Sequence, residues 1–381
     1  MLTIQLSGLR TAALALISGV ALVTAGGTAM AAAPKHIFLI MMENHSTEDI
    51  LGNTTDAPYI NGLVKQPGVS YATQYFGVTH PSLPNYLALI SGSTQGIFDD
   101  CKAGPDVTCK PEEFVPDSGD AATAGRLLTD QQATTAAHQP HLFADKTLVD
   151  QLETAGRSWK AYMEAMPADN KTIEYAPVGA DGKVIAKLYA QKHNPFVYFA
   201  DIRNSPTRME KVAPYEQLVQ DLSANKVPDF VWISPHQCHD MHGVSPEGAA
   251  AVKMPDCGYP SAGLDHGAIK LGDAYLAEVV PTITGSAAWK EGAVLVIVWD
   301  EDDYAGFAGT SGSPVGFNDT VLGGSRTPLI VVSAGQAPAR KLVEPANHYN
   351  LLAAIEDAWR LGCLKNSCKA ETSNPLAGLI Q

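Results

Sequence analysis

The sequence predicts an α/β protein, a three-layer sandwich in which helices cover both faces of a largely parallel central sheet. Residues 37–42, 230–233 and 293–299 form continuous apolar runs. Strands buried on both faces of a parallel sheet have this character. Segments with helical spacing lie between these runs, and alternation of strands with helices is the order expected of a parallel sheet.

The other elements follow from local patterns along the chain. Short apolar runs predict further strands at 71–78, 158–163, 196–200 and 328–333. Apolar residues at helical spacing, or runs of small and apolar residues, predict helices at 87–92, 147–155, 215–222, 264–280 and 348–360. Polar, Gly-rich or Pro-rich stretches predict loops at 53–69 and 306–324.

A long segment at about 98–141 has no sustained period and is predicted to be a loop-rich insertion that covers the site. The sequence has no internal repeat, long linker or charge block that would divide it. Residues 34–381 are therefore predicted to form a single catalytic domain.

Residues 1–33 resemble a cleavable export signal. Arg10 precedes an apolar run over 12–23, and small residues at 26–33 provide a cleavage region. The apolar run is short and interrupted, so an uncleaved anchor is the weaker alternative. We expect a periplasmic or secreted protein without a stable membrane anchor.

The chain is acidic, with 26 Lys and Arg residues, 40 Asp and Glu residues and a formal net charge of −14. An acidic protein is repelled by nucleic acid and by anionic membrane surfaces. The charge therefore argues against nucleic acid as a partner, but leaves room for phosphate if the site holds a metal.

Six cysteines follow the predicted signal, and an even number in an exported protein indicates disulfides. Six cysteines allow 15 pairings, and we predict the sequence-local one: Cys101 with Cys109, Cys238 with Cys257, and Cys363 with Cys368. A zinc site is the alternative, but the close Cys pairs typical of such sites are absent.

Four polar clusters each follow an apolar run. They are Glu43 and Asn44; Ser82 and Asn85; His236, His239, Asp240 and His242; and Asp300 to Asp303. Because the carboxyl ends of parallel strands share one edge of the sheet, we expect these clusters to form one site. His45, His80, His266 and Arg326 lie beside the clusters, and no pattern singles out one of them.

Carboxylates, imidazoles and a hydroxyl suit one or two divalent cations, such as Zn, Mn, Mg or Ca. Ser82 is the natural nucleophile, and the start of a helix behind it would favour an anion. Asn44 and Asn85 are predicted to donate hydrogen bonds to phosphate oxygens.

Each cluster also has a structural interpretation. Ser46 or Thr47 could cap a helix after Glu43, and Ser82 could itself be an N-cap. The 300–303 segment could be a solvated acidic turn, and His348 could be the neighbour of an N-cap. The His cluster is harder to explain in this way, because three His in seven residues beside an Asp are unusual in a plain loop.

The chain resembles the bacterial and fungal phosphoesterase family of acid phosphatases and phospholipases C, within the alkaline phosphatase-like superfamily. The resemblance covers most of the chain after the predicted signal. It rests on Met-Glu-Asn-His-Ser at 42–46, Pro-Ser-Leu-Pro-Asn-Tyr at 81–86, the His-rich segment 234–242, Val-Trp-Asp-Glu at 298–301, and the segments 326–333 and 348–357.

The resemblance implies an alkaline phosphatase-like fold and a set of site residues. Glu43, Asn44, Asp300 and Glu301 would hold or adjoin the metal, and Ser82 would be both nucleophile and metal ligand. The full predicted metal set is Glu43, Asn44, Ser82, His236, Asp240, Asp300, Glu301 and His348. The predicted catalytic set is Ser82, Asn44, Asn85, His239 and His242.

We therefore predict an exported, metal-dependent hydrolase of phosphate monoesters that acts through a phosphoserine. The alternatives are a phospholipase C or other phosphodiesterase acting on a phospholipid head group, and a non-catalytic protein that binds metal or phosphate. A sulfatase is disfavoured because the Arg of its motif is missing after Ser82. A serine esterase is disfavoured because Gly-x-Ser-x-Gly is absent.

Overall fold

The computed structural model describes Met1 and residues 33–113, 128–302, 326–335 and 339–380. The predicted export signal up to residue 32, Asp303 and the predicted loop 306–324 lie outside these residues. Part of the predicted insertion, 114–127, does so too. No helix among the described residues has the length and apolar character needed to cross a membrane.

In the described part of the chain, eight strands form the central sheet and four form two small ribbons. In chain order the strands are β1 (His36–Met42), β2 (Val69–Ala72), β3 (Tyr75–Phe76), β4 (Trp159–Met163), β5 (Tyr175–Val178), β6 (Val184–Ala190), β7 (Val212–Pro214), β8 (Phe230–Ser234), β9 (Ala293–Trp299), β10 (Leu329–Ser333), β11 (Lys341–Leu342) and β12 (Ala346–Asn347). The small ribbons pair β3 with β12 and β5 with β6.

The described α-helices are α1 (Thr47–Ile50), α2 (Pro58–Leu63), α3 (Ser82–Ser91), α4 (Asp130–Ala136), α5 (Leu148–Thr154), α6 (Ala200–Arg203), α7 (Pro206–Glu210), α8 (Glu216–Ser223), α9 (Pro246–Ala251), α10 (His266–Thr284), α11 (Ala287–Lys290), α12 (His348–Trp359) and α13 (Ser367–Glu371). Short 3-10 turns occupy Gln191–His193, Pro195–Tyr198 and Pro255–Cys257.

The central sheet has the order β11-β2-β10-β9-β1-β8-β4-β7. Strands β9, β1, β8, β4 and β7 run parallel, with Ile37 opposite both Phe230 and Val294. Strand β10 runs antiparallel to β9 and β2. The sheet is therefore largely parallel, as predicted, with an antiparallel strand on one side.

The residues of β1 alternate between two cores. Ile37, Leu39 and Met41 pack with α3, α5 and α12, whereas Phe38, Ile40 and Met42 pack with α8 and α10. Every residue of β1 is buried, because helices cover both faces of the sheet. This confirms the predicted three-layer α/β fold.

Two predicted strands differ in the structure. The predicted strand at 71–78 is two short strands, β2 and β3, in different sheets. The run at 196–200 is instead a 3-10 turn followed by α6. Pro195 at the start of that turn has the fixed φ and missing N–H that suit the first turn of a helix. The three disulfides pair as predicted: Cys101–Cys109, Cys238–Cys257 and Cys363–Cys368.

Candidate active site

Three parallel strands end side by side at the candidate site. Glu43 follows β1, Asp300 follows β9, and Asp240 lies in the turn after β8. The Glu43 amide donates to Asp240 O at 2.8 Å, and the Asp300 amide donates to Met42 O at 3.1 Å. The main chain thus holds the three carboxylates at one edge of the sheet, as the order of the strands predicts.

Ser82 lies at the first position of α3 and its side chain is buried. Its Oγ donates toward Glu43 Oε2 at 3.0 Å and toward Glu301 Oε1 at 2.9 Å. Lys192 Nζ is 3.3 Å from the same oxygen. The hydroxyl is therefore surrounded by two carboxylates that can accept its proton and by one ammonium group.

Asn85 holds the loop that leads to Ser82. Its Nδ2 donates to Thr79 O and Pro81 O, at 2.8 and 3.2 Å, and its Oδ1 accepts from the amides of Val78 and Thr79. The prediction that Asn85 donates to phosphate does not fit this structure, because both amide hydrogens are engaged by the main chain.

Gly77 explains how this loop reaches the end of β9. A Cβ at residue 77 would lie 2.8 Å from Asp300 O. Only glycine therefore allows the two main chains to approach this closely. The contact brings the segment before Ser82 against the strand that carries Asp300 and Glu301.

Sequence reasoning missed Lys192 and His193, which lie in the turn after β6. Lys192 Nζ donates to Asp100 Oδ2 at 2.7 Å and lies 3.2 Å from His242 Nε2. The neighbouring carboxylates Asp100 and Glu43 outweigh burial and raise the pKa of Lys192, so it stays cationic. In the sequence, Lys192 and His193 appear only as a Lys-His pair before the run at 196–200, and such a pair is too common to indicate a site.

His193 bridges two of the predicted metal ligands. Its Nε2 lies 3.2 Å from Glu43 Oε1, and its Nδ1 lies 3.3 Å from Asp240 Oδ2. The Tyr86 hydroxyl donates to the same Glu43 oxygen at 2.5 Å, and its ring stacks on His193. Glu43, His193 and His242 have ligand atoms close enough to surround one ion.

His80 pairs with Glu301 and also with Asp302, whose Oδ1 lies 3.0 Å from His80 Nε2. Burial alone would lower the pKa of His80, but the two carboxylates raise it to about 10. A protonated His80 supplies one of the positive charges that this acidic site needs.

The carboxyl groups of Glu43, Asp240 and Asp300 are buried, and burial raises the pKa of each. The Asn44 main-chain amide donates to Asp300 Oδ1 at 3.2 Å. Among the described residues, neither Asp300 Oδ2 nor Asn44 Oδ1 has a hydrogen-bond partner. Buried, unpartnered oxygens beside several carboxylates fit a hard divalent cation.

His242 lies beside Lys192 and receives polar contacts on both ring nitrogens. Its Nδ1 is 2.9 Å from the Tyr259 hydroxyl, and its amide donates to Asp240 Oδ1 at 2.8 Å. Burial and the Lys192 charge lower the pKa of His242 well below its usual value. The predicted pair Asp240 and His242 is thus part of the group around Ser82.

The structure places His236 and His239 elsewhere. Both side chains contact Glu164, which follows β4, and neither hydrogen-bonds Ser82, Glu43 or Asp300 in the described part of the chain. The structure therefore does not bring all three His of the 236–242 segment together beside Ser82. A tight turn directs His236 and His239 to one side, and Asp240 and His242 to the other.

His348 also differs from its predicted role as a metal ligand. Its Nε2 lies 2.7 Å from Asp300 O and its Nδ1 lies 2.7 Å from the Tyr75 hydroxyl. Both nitrogens are engaged, so coordination would break one of these bonds. The structural interpretation is closer to what is observed, because Asn347 caps α12 and His348 is the first residue of that helix.

The chain belongs to the Phosphoesterase family, whose pattern matches residues 56–362. Together with relatives described as phosphatases, this makes the protein a phosphoric ester hydrolase. The match includes Ser82, Lys192, Asp240 and Asp300, but begins after Glu43.

Two relatives and one solved structure illustrate the similarity. The chain is 27% identical over 354 residues to the phosphatidylinositol-3-phosphatase of Mycobacterium tuberculosis, covering 92% of this chain and 86% of that one. It is 26% identical over 212 residues to a probable acid phosphatase of Kluyveromyces lactis, covering 55% of this chain and only 39% of that one. An alkaline phosphatase superfamily protein from Vibrio parahaemolyticus aligns with a TM-score of 0.43 and 12% identity, over 87% of this chain and 67% of that one.

Proposed function

We propose that the protein is an exported, metal-dependent phosphatase that hydrolyses phosphate monoesters through a phosphoserine at Ser82. The observation that carries this proposal is the position of Ser82 Oγ, buried between Glu43 and Glu301 at 3.0 and 2.9 Å. A hydroxyl needs an adjacent base to become a nucleophile, and both carboxylates are within reach of its proton.

In the first step Ser82 Oγ attacks phosphorus and its proton passes to Glu301. The new Oγ–P bond forms as the bond to the leaving oxygen breaks, and the leaving alkoxide takes a proton from water. In the second step the hydroxide left from that water attacks phosphorus, the Oγ–P bond breaks, and Ser82 Oγ takes back its proton from Glu301 as hydrogen phosphate leaves. Lys192 would hold a phosphoryl oxygen throughout, since its ammonium group already lies beside Ser82 Oγ.

A divalent cation fits the carboxylate group around Ser82. Glu43, Asn44, Asp240 and Asp300 would hold it, with Glu301 and Ser82 adjoining. When bound, such an ion neutralises charge on the phosphoryl group and on the attacking oxygen. The unpartnered oxygens of Asp300 and Asn44 support this assignment.

A phosphorylated inositol lipid head group is a second candidate substrate. It rests on the relative described as a phosphatidylinositol-3-phosphatase, which aligns with 92% of this chain. Its phosphate is also a monoester, so the same nucleophile and the same Lys192 would act on it.

Export is supported by the signal-like residues 1–33 and by three disulfides, which persist in oxidising compartments. N-terminal sequencing of the protein purified from the culture medium or periplasm would test this. A mature chain that begins near residue 34 is expected, and an intact N-terminus in the cytosol would contradict it.

The catalytic proposal is tested by release of p-nitrophenol from the phosphomonoester, the bis-ester and the phosphorylcholine ester, each with and without a chelator. Phosphate release from a short-chain phosphatidylinositol 3-phosphate forms a further arm. The variant is Ser82→Ala, and Ser91→Ala in the same helix is the control because Ser91 is also buried.

We expect the monoester to be the best p-nitrophenyl substrate, with turnover that a chelator abolishes and that Ser82→Ala removes. Preference for the bis-ester would make the protein a phosphodiesterase, and preference for the phosphorylcholine ester would make it a phospholipase C. Full activity in Ser82→Ala would eliminate the phosphoserine. No turnover with any metal would favour a protein that only binds metal or phosphate.

A further inference from the structure

A second group of potential metal ligands lies outside the site around Ser82. It consists of Glu164, His236 and His239, whose carboxylate and imidazole atoms all lie within 4.8 Å of one another. The proposed function uses none of these three side chains. We propose that they form a second metal site that takes a single zinc-like transition-metal ion, independent of the ion beside Ser82.

The distances among the donor atoms suit one ion. Glu164 Oε1 lies 2.9 Å from His239 Nδ1 and 3.7 Å from His236 Nε2. A tetrahedral ion with bonds of about 2.0–2.1 Å separates its ligand atoms by about 3.3 Å. The measured separations lie on either side of that value, so small side-chain rotations would bring the three atoms into the first coordination sphere.

The fold brings the three donors together from two neighbouring strands. Glu164 directly follows β4, and His236 lies two residues after β8, which pairs with β4 in parallel register. The Cys238–Cys257 disulfide fixes the turn between the two His residues. Gly272 lets this turn pack on α10, since a Cβ there would lie 3.1 Å from His239 O.

The same turn separates the two sites. Asp240 points toward His193 and Glu43, while His236 and His239 point toward Glu164. The two imidazole rings stack with centroids 3.8 Å apart, and Tyr275 stacks on the outer side of His239 at 5.0 Å. These stacking contacts hold the rings beside the same carboxylate before any ion arrives.

The donor set indicates the kind of ion. Two imidazoles and one carboxylate leave a fourth position for water and suit Zn²⁺ better than Ca²⁺ or Mg²⁺, which take oxygen ligands. If His236 Nε2 coordinates the ion, the ring proton must lie on Nδ1. In the structure, Nδ1 instead accepts a hydrogen bond from the Cys238 main-chain amide at 3.2 Å. Binding therefore gives up this hydrogen bond and the one between His239 Nδ1 and Glu164, and gains three ligand bonds.

The test is equilibrium dialysis of the metal-free mature protein against buffered Zn²⁺, with bound zinc measured by elemental analysis. Three variants separate the sites: His239→Gln and Glu164→Gln for the new site, and Glu43→Gln for the site around Ser82. The control is His138→Gln, since His138 is exposed and lies in neither group. Circular dichroism and the unsupplemented melting temperature establish that each variant is folded.

We expect His239→Gln and Glu164→Gln each to bind one zinc ion fewer per chain than the wild type, while His138→Gln binds the same number. Glu43→Gln should keep the zinc that these two variants lose. Unchanged zinc binding in both folded variants, or a wild-type protein that binds no zinc, would overturn the proposal. Because zinc content is the readout, failure of the proposed phosphatase activity would not change these outcomes.

Discussion

Lys192 is the residue whose role depends most on the tertiary structure. Its side chain is largely buried, and its ammonium group donates to Asp100 and lies 3.3 Å from Ser82 Oγ. Glu43, Asp240, Asp300 and Glu301 surround the same space, so an anionic substrate needs a compensating positive charge there. A buried lysine at the nucleophile supplies it.

We therefore expect Lys192→Met to lower kcat/KM for a phosphomonoester by about 10- to 100-fold, the effect of losing one charged hydrogen bond of about 1.5–3 kcal/mol. Steady-state kinetics would measure this. The control is Lys183→Met, because Lys183 is largely exposed and pairs only with Asp181 among the described residues. Equal activity of Lys192→Met and the wild type would contradict the assigned role.

Asn85 supports the loop before Ser82, since its side-chain amide bonds main-chain groups of that loop. In Asn85→Ala the Val78 and Thr79 amides and the Thr79 and Pro81 carbonyls lose their hydrogen bonds to the Asn85 side chain. Loss of buried hydrogen bonds of this kind should lower the free energy of unfolding by about 1–3 kcal/mol.

Urea unfolding without substrate or metal would measure this loss for Asn85. A variant as stable as the wild type, but with a raised KM, would instead restore the original interpretation of Asn85 as a phosphate ligand.

At the scale of elements, Glu153 near the end of α5 connects that helix to β4 and α7. It accepts from Trp159 Nε1 at 2.9 Å, from Arg208 Nη2 at 2.7 Å and from Lys211 Nζ at 2.8 Å. Partial burial would raise the pKa of Glu153, but these partners lower it to about 2. The Glu153 carboxylate thus links α5 to the sheet, and it stays ionised in mildly acidic solution.

The sign of the resulting pH dependence follows from the lowered pKa. Ionised Glu153 stabilises the folded state above about pH 4.5, and this contribution is lost as the pH falls toward 2. Glu153→Gln should therefore lower the free energy of unfolding by about 1 kcal/mol at neutral pH, allowing for solvent screening, and by much less near pH 2.5.

Chemical unfolding at several pH values would test this for Glu153, with Glu278→Gln on exposed α10 surface as the matched control. A difference between Glu153→Gln and the wild type that does not change with pH would show that the ion pairs are not its cause.

At the scale of the whole molecule, the active-site carboxylates oppose folding unless a cation neutralises them. They lie where β1, β8 and β9 end, so their mutual repulsion acts on the centre of the sheet. Removal of the proposed divalent ion by a chelator should lower both activity and the melting temperature, because a ligand that binds only the folded state stabilises it by mass action.

The expected loss of stability on chelation follows from linkage, since an ion present at 100 times its dissociation constant stabilises the folded state by about 2.7 kcal/mol. Differential scanning calorimetry with and without chelator would measure the shift. In Asp300→Asn, which removes one repelling charge and one predicted ligand, the chelator should lower the melting temperature by less. An identical shift in this variant would place the stabilising ion elsewhere.

The sheet and most of the polar residues at its edge follow from the sequence alone. Continuous apolar runs can be satisfied only by burial on both faces, and β1, β8 and β9 form the centre of the sheet for that reason. Because Glu43 and Asp300 directly follow such strands, their convergence follows from the parallel order. The local cysteine pairing was also correct.

Which side chains share a site depends instead on long-range packing. Lys192 reaches Ser82, and His193 reaches Glu43, from a turn more than 100 residues away, and no local pattern encodes that approach. In the 236–242 turn, main-chain direction sends Asp240 and His242 toward Ser82 but His236 and His239 toward Glu164. A periodic pattern fixes which face of a strand is buried, whereas the direction of a side chain in a turn depends on φ and ψ angles set by distant contacts.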